Sequence, residues 1–242
     1  MLGLEPISRE TVGGRVYRDL RELIMAGQIS PGERLSIRAL ASALGTSVMP
    51  VRDAVAKLAA EQALEVLPNR AVRVPPMTQD RFEELRAIRL LLEGHAVEIA
   101  TARMTPARLA RLHAIHAEFE AEHDRSEPDA GALVRLNKDF HFHIYETAEM
   151  PSLLRIIEGL WLQIGPVLNY DLRSKSRRTK DRTALGFHLA LVQAAARGDA
   201  AGARAALVGD INAAGDFILS CGALLGASPA ERPERGRGAK RA

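Results

Sequence analysis

The polar side chains most able to do chemistry in this chain sit inside apolar helical runs. In the stretch Leu136–Ile144, Asn137 and His141 stand four apart and so share one helical face, with Tyr145 one turn further along nearly the same face. His143 is turned about 200° away from His141, so the two imidazoles do not chelate one ion from a straight helix. Phe140 and Ile144 form a separate apolar pair, which puts His141 at the edge of a buried stripe. His188 lies in the strongly apolar run Leu185–Leu191, and Asp210 interrupts the run Ala205–Ile211. Burying a carboxylate and two imidazoles is costly unless they pair with one another or hold a cation. Spacing alone leaves both outcomes open.

A second group of candidates lies near the amino terminus, on a helix expected to be capped by Ser47 and to run through Leu58 to about Gln62. Val51, Val55 and Leu58 recur at helical spacing and face a core, while Met49, Arg52, Asp53 and Ala56 lie on the opposite side. Pro50 is tolerated in the first turn, where backbone N–H groups lack helical partners anyway. A helix that presents its first turn and an arginine can enter a major groove and donate to guanine or phosphate. Pattern alone leaves a DNA-binding module and a small helical protein-interaction module as the two readings.

The elements around that helix give it a frame. Val12–Ala26 carries Val16, Leu20, Leu23 and Ile24 on one stripe and stops at Gly27; Ser30-Pro31-Gly32 forms a turn. Ile37–Leu44 is a short helix capped by Ser36 and closed by Gly45. Two β-prone pieces, Leu64–Leu67 and Ala71–Val74, flank a tight turn at Pro68-Asn69-Arg70. Three helices and a hairpin describe a winged helix-turn-helix. Pro75-Pro76 then begins a stiff connection to a second, all-helical domain, with helices expected over 78–102, 105–124, 129–147, 151–170, 176–197 and 199–222. The expected fold is mainly α, a winged helix-turn-helix over residues 1–75 followed by a helical bundle over 76–225.

Composition narrows the function classes. The chain has 242 residues, 33 Lys+Arg against 30 Asp+Glu, and one cysteine. Residues 226–242 hold Arg232, Arg235, Arg237, Lys240 and Arg241 against Glu231 and Glu234, a surplus equal to the net +3 of the whole chain. The basic balance therefore belongs to a tail with nothing to bury, expected to be disordered, and is no evidence for nucleic-acid binding. Cys221 alone excludes a disulfide framework and fits a reducing cytosol. Charge-free stretches such as Thr183–Ala196 and Phe217–Ala230 fall short of the roughly 18 residues a membrane span needs. Met1–Glu10 carries Glu5, Arg9 and Glu10 and no apolar core, so no secretory signal is expected.

Three ordered motifs carry a resemblance. Ala26–Leu35 (AGQISPGERL), Ile37–Ala41 (IRALA) and Pro50–Val55 (PVRDAV) resemble the DNA-binding domain of GntR-family bacterial transcription regulators over about Val12–Val74. The resemblance implies operator contacts from Arg38, Ser47, Met49 and Arg52, and a minor-groove approach by the wing turn with Asn69 and Arg70. Val48 and Met49 stand where the family usually has Arg and Thr, and Ala71 where it usually has a wing glycine. Arg34 is expected to be a solvated turn residue.

The second domain resembles the FCD effector domain of the fatty-acid-regulator subfamily, through Ile88–Glu93 (IRLLLE), Asp139-Phe140-His141, Phe187-His188 and Arg197–Ala200 (RGDA). Many members hold a divalent metal with an Asp and three His. By position those places fall on Asn137, His141, His188 and Asp210, which implies a site for Zn²⁺, Ni²⁺ or Mn²⁺ completed by a ligand carboxylate or water. A metal-free pocket in which these groups hydrogen-bond an effector is the alternative. Arg89 and Tyr145 are the implied effector contacts; Arg89 otherwise makes an i, i+4 pair with Glu93 on a solvated face. His95, His113, His116 and His123 are expected at the surface, Trp161 in the core or at a dimer contact, and the basic run Arg173–Arg182 in a solvated loop.

These features together describe a ligand-responsive transcription regulator, a repressor. The resemblance implies that it binds a near-palindromic double-stranded operator as a homodimer and answers to a small organic acid or related metabolite. The expected location is the cytoplasm, on the nucleoid when operator-bound. Two other classes stay in view: a metal-dependent hydrolase or lyase using His141, His188 and Asp210, and a helical adaptor. The sequence has no HExxH, GxSxG or glycine-rich phosphate loop to support the enzyme.

Overall fold

The computed structural model describes residues 11–68, 71–168, 182–222 and 224–225. The amino-terminal part folds as α1 (Val12–Met25), β1 (Arg34–Leu35), α2 (Ile37–Ala43), α3 (Val48–Ala60), β2 (Glu65–Val66) and β3 (Val72–Arg73). Thr11 and Ser36 cap α1 and α2 by accepting from the Gly14 and Ala39 N–H groups. Val16, Leu20 and Ile24 of α1 bury the same stripe that packs on Val51, Val55 and Leu58 of α3.

The sheet has three strands, in the order β1-β3-β2, all antiparallel. Sequence reading finds only the hairpin. The third strand is two residues long, too short to show a period of two. Its pairing is set by Gly32, whose φ of +79° turns the chain so that Gly32 N–H donates to the Val74 carbonyl. Arg34 is thus a strand residue opposite Arg73, not part of a free turn.

The helical part comprises α4 (Gln79–Ala102), α5 (Pro106–His123), α6 (Ala130–Thr147), α7 (Pro151–Leu168), α8 (Thr183–Ala196) and α9 (Ala200–Ser220). Thr78, Thr105, Asp129 and Asp199 cap four of these helices with their side chains, and Pro106 opens α5 at a position where no N–H is missed. Helix α4 packs against α6, α7 and α9, and α8 lies between α5 and α9. The expected wing tip at Asn69 and Arg70, the run 173–181 and the tail 226–242 lie outside the described residues.

The two parts share one apolar core, continuous from Val16 to Leu224. Helix α1 packs directly on α7. The connection after Pro75-Pro76 is also pinned: Met77 is buried, and Leu225 donates to the Met77 carbonyl and accepts from Gln79 N–H. Among the described residues no helix is long and apolar enough to cross a membrane.

Candidate DNA interface and candidate metal centre

The space between α2, the start of α3 and the wing strands is a cleft of about 830 Å³, lined among others by Arg34, Arg38, Val48, Arg52, Val66 and Ala71. Arg34, Arg38 and Arg52 are exposed, and among the described residues none of the three pairs with a carboxylate. Three guanidiniums held on a helix, a helix and a strand around one concave surface suit phosphate and guanine recognition. Ser47 occupies the N-cap position of α3, yet its side chain makes no capping bond, which corrects the expectation that it caps this helix. Ser47 is exposed. Arg34, expected as a solvated turn residue, is exposed but lies on β1, where it lines the same cleft as Arg38.

Some distance away, α6, α8 and α9 bring His141, His188 and Asp210 together. All three are buried, and one ligand atom from each lies within 4.8 Å of the others. His141 Nε2 is 3.3 Å from Asp210 Oδ2, and its Nδ1 lies 3.4 Å from the Tyr145 hydroxyl. The His188 ring stacks on Phe140, with centroids 3.9 Å apart and planes 14° apart, which fixes its orientation. Asn137 is half-buried, one turn before His141.

Beside this trio is a second buried polar group. Glu93, fully buried, accepts from Arg89 Nε at 2.6 Å and a terminal Arg89 nitrogen at 3.1 Å, from the Tyr145 hydroxyl at 2.5 Å, and from the Trp161 indole at 3.0 Å. The Arg89 guanidinium also lies over the Trp161 ring. The i, i+4 pair expected on a solvated face is therefore in the core, because α4 turns that face toward α6 and α7. Burial works against the Arg89 charge, but Glu93 more than offsets it and its pKa stays above the ordinary value. Burial, reinforced by the Glu93 carboxylate, holds the Tyr145 phenol well above its ordinary pKa, so it remains a donor.

His116 also departs from expectation. It is buried rather than at the surface, 6.3 Å from both Phe140 and His188 by ring centroids, and its Nδ1 has no hydrogen-bond partner. Desolvation lowers its pKa, so it stays neutral. His95 and His113 are exposed as expected; His123 is half-buried beside Asp124. His143 contacts the Arg108 carbonyl, away from the trio. Trp161 is in the core, and its hydrogen bond to Glu93 has no signal in the sequence. Arg182, the last of the basic run, pairs with Glu120 and Asp124.

Comparison with known proteins supplies the context. Residues 13–74 match the family described as bacterial regulatory proteins, gntR family, and residues 84–213 match the FCD domain. The HTH-type transcriptional regulator McbR of Escherichia coli is 35% identical over 156 residues, 64% of this chain and 70% of its own. A protein of Paenarthrobacter nicotinovorans named "Probable D-xylose utilization operon transcriptional repressor" is 30% identical over 165 residues, 67% of this chain and 70% of its own. The solved structure of Escherichia coli McbR/YncC superposes with a TM-score of 0.80 at 28% identity, covering 87% of this chain and 98% of that one.

Proposed function

Because the chain belongs to the gntR family of bacterial regulatory proteins and carries an FCD domain, we propose that it is a metabolite-controlled repressor. Its relatives are transcriptional regulators, not enzymes, and the chain is a regulator of the same type. Residues 1–75 form the operator-binding module, 76–225 the effector and dimerisation domain, and 226–242 a basic tail. As a homodimer in the cytoplasm, it sets two α3 helices against the half-sites of a near-palindromic operator. Arg38, Ser47, Met49 and Arg52 contact the duplex, joined by Asn69 and Arg70 from the wing. The presence of a repressor among the relatives supports the sign of the effect.

The donor set of the core supports a divalent cation: Arg89 and Glu93 pair with each other, while two imidazoles and a carboxylate converge beside them. His141, His188 and Asp210 would hold Zn²⁺, Ni²⁺ or Mn²⁺, with Asn137 as a weak fourth donor. The 3.3 Å between His141 Nε2 and Asp210 Oδ2 suits two atoms sharing one ion at about 2.1 Å each. The ion supplies a Lewis-acidic position for the carboxylate of a small organic acid. Tyr145, whose proton goes to Glu93, borders that space beside His141, and Arg89 acts through Glu93.

The observation that carries this reading is on α7. One turn of this helix donates to Glu93 through Trp161, and the next packs on α1 through Gly165. An effector that favours one packing of α7 changes operator affinity by its differential affinity for the two states. The test is operator selection with the full chain, repeated with Arg52→Ala and then with a panel of two- to six-carbon carboxylates on Zn²⁺-, Ni²⁺- and Mn²⁺-loaded protein. The expected result is a near-palindromic site, lost sequence preference in Arg52→Ala, and release by one acid. Equal affinity for every duplex would overturn it.

A further inference from the structure

The exposed stripe of α3 is poor in hydrogen-bonding groups. Met49, Arg52, Asp53 and Ala56 follow one another at i, i+3, i+4 and i+7, and all four are exposed. Only Arg52 donates and only Asp53 accepts. Met49 keeps 60% of its surface in solvent, among the highest values for a large apolar side chain here. Its neighbour Val48 is half-buried, packed on the core of the module and lining the cleft, and so exposes less apolar surface than Met49. The stripe shares Arg52 and Ala56 with the cleft that also carries Arg34 and Arg38, and Met49 lies one turn before Arg52 on the same face. An occupant that is polyanionic therefore also meets an apolar spot at Met49.

A DNA major groove offers one apolar group, the C5-methyl of thymine. We infer that Met49 reads a thymine methyl in each operator half-site, next to the guanine read by Arg52. The inference rests on the operator reading above and deepens it. Three residues of helix advance about 4.5 Å, against about 3.4 Å per base step, so the thymine lies within about two base pairs of that guanine. An apolar reader cannot draw specificity from hydrogen bonds. Discrimination at this position therefore comes from the methyl group alone, and the base pair is distinguished from its demethylated analogue.

Deoxyuridine differs from thymidine only in lacking that methyl. The experiment selects operators from random duplexes with the full wild-type chain and with Met49→Ala. It then replaces each thymine of the selected half-site in turn by deoxyuridine and measures affinity. One replacement, near the Arg52 guanine, is expected to weaken the wild type about fourfold per half-site, the weight of one buried apolar carbon. Met49→Ala is expected to bind the thymine and uracil duplexes equally while keeping the guanine. Wild-type binding insensitive to every replacement, or a methyl effect that persists in Met49→Ala, overturns the inference and leaves the operator reading standing. A wild type that selects no sequence at all overturns both.

Discussion

Gly165 of α7 and Met25 of α1 meet through their backbones: a β-carbon at position 165 would lie 2.8 Å from the Met25 Cα and 2.9 Å from its carbonyl oxygen. Glycine lets the two helices close to a distance no other residue permits. Polar contacts frame the junction. Arg21 pairs with Glu158 at 3.1 Å, Lys138 pairs with Glu22, and Arg81 bridges Gln62 and Gln163 at 3.0 and 2.6 Å. The operator-binding module is thus docked on the helical domain rather than hung from a linker.

Gly165→Ala follows directly from that contact. The neighbouring atoms are backbone, so no side chain can rotate away, and α1 must move off α7. Overpacking of this kind costs about 1–3 kcal/mol. Urea unfolding should show a lower midpoint with an unchanged slope. A midpoint equal to that of the wild type would mean the two helices are not held in this register.

The buried Arg89–Glu93 pair makes a second prediction. Glu93→Gln keeps the shape but leaves a guanidinium in the core without its counter-charge, a loss on the order of 3–5 kcal/mol. Replacing both residues by apolar ones of similar size should cost far less than the sum of the single changes. A double-mutant cycle by chemical denaturation measures the coupling, and additive single costs would contradict the pairing described.

Helix caps, apolar stripes and the Pro-Pro break are written in local sequence, which is why the helices of both parts were legible from it. Apolar surroundings single out His141, His188 and Asp210 one by one, but that they meet was implied only by family resemblance, since three helices far apart in the chain have no shared local signal. What local sequence hides is which face a helix turns inward. Arg89 and Glu93 have the spacing of a surface pair and are buried by packing of α4 on α6 and α7. His116 looks like one more polar residue on α5 until α8 brings His188 against it. Arg34 needed β3, 38 residues on, before it became a strand residue facing the cleft.

Metal content tests the centre itself. Protein purified without chelator should contain one divalent ion per chain, and a chelator should lower its melting temperature. At free metal of 100 times Kd the stabilisation is about 2.7 kcal/mol. His141→Ala combined with His188→Ala should abolish both the metal and the chelator effect. Full occupancy in that double variant would place the ion elsewhere.

Tyr17 gives the operator-binding module a pH signature. Its hydroxyl donates to Glu61 at 2.6 Å, and Lys57 sits over its ring. Burial, then the Glu61 hydrogen bond and charge, push its pKa up to about 12. An unfolded tyrosine titrates near 10, so between these values the unfolded chain loses its proton first and is stabilised relative to the folded one. The contribution of Tyr17 is therefore complete below about pH 10 and disappears as pH rises toward 12. Tyr17→Phe lacks the titrating group but keeps the ring and the lysines that titrate in the same range. The wild-type advantage over Tyr17→Phe in melting temperature should be constant up to about pH 10 and shrink steadily above it. An advantage that grows across this window would mean the folded state holds Tyr17 ionised, against the hydrogen bond to Glu61.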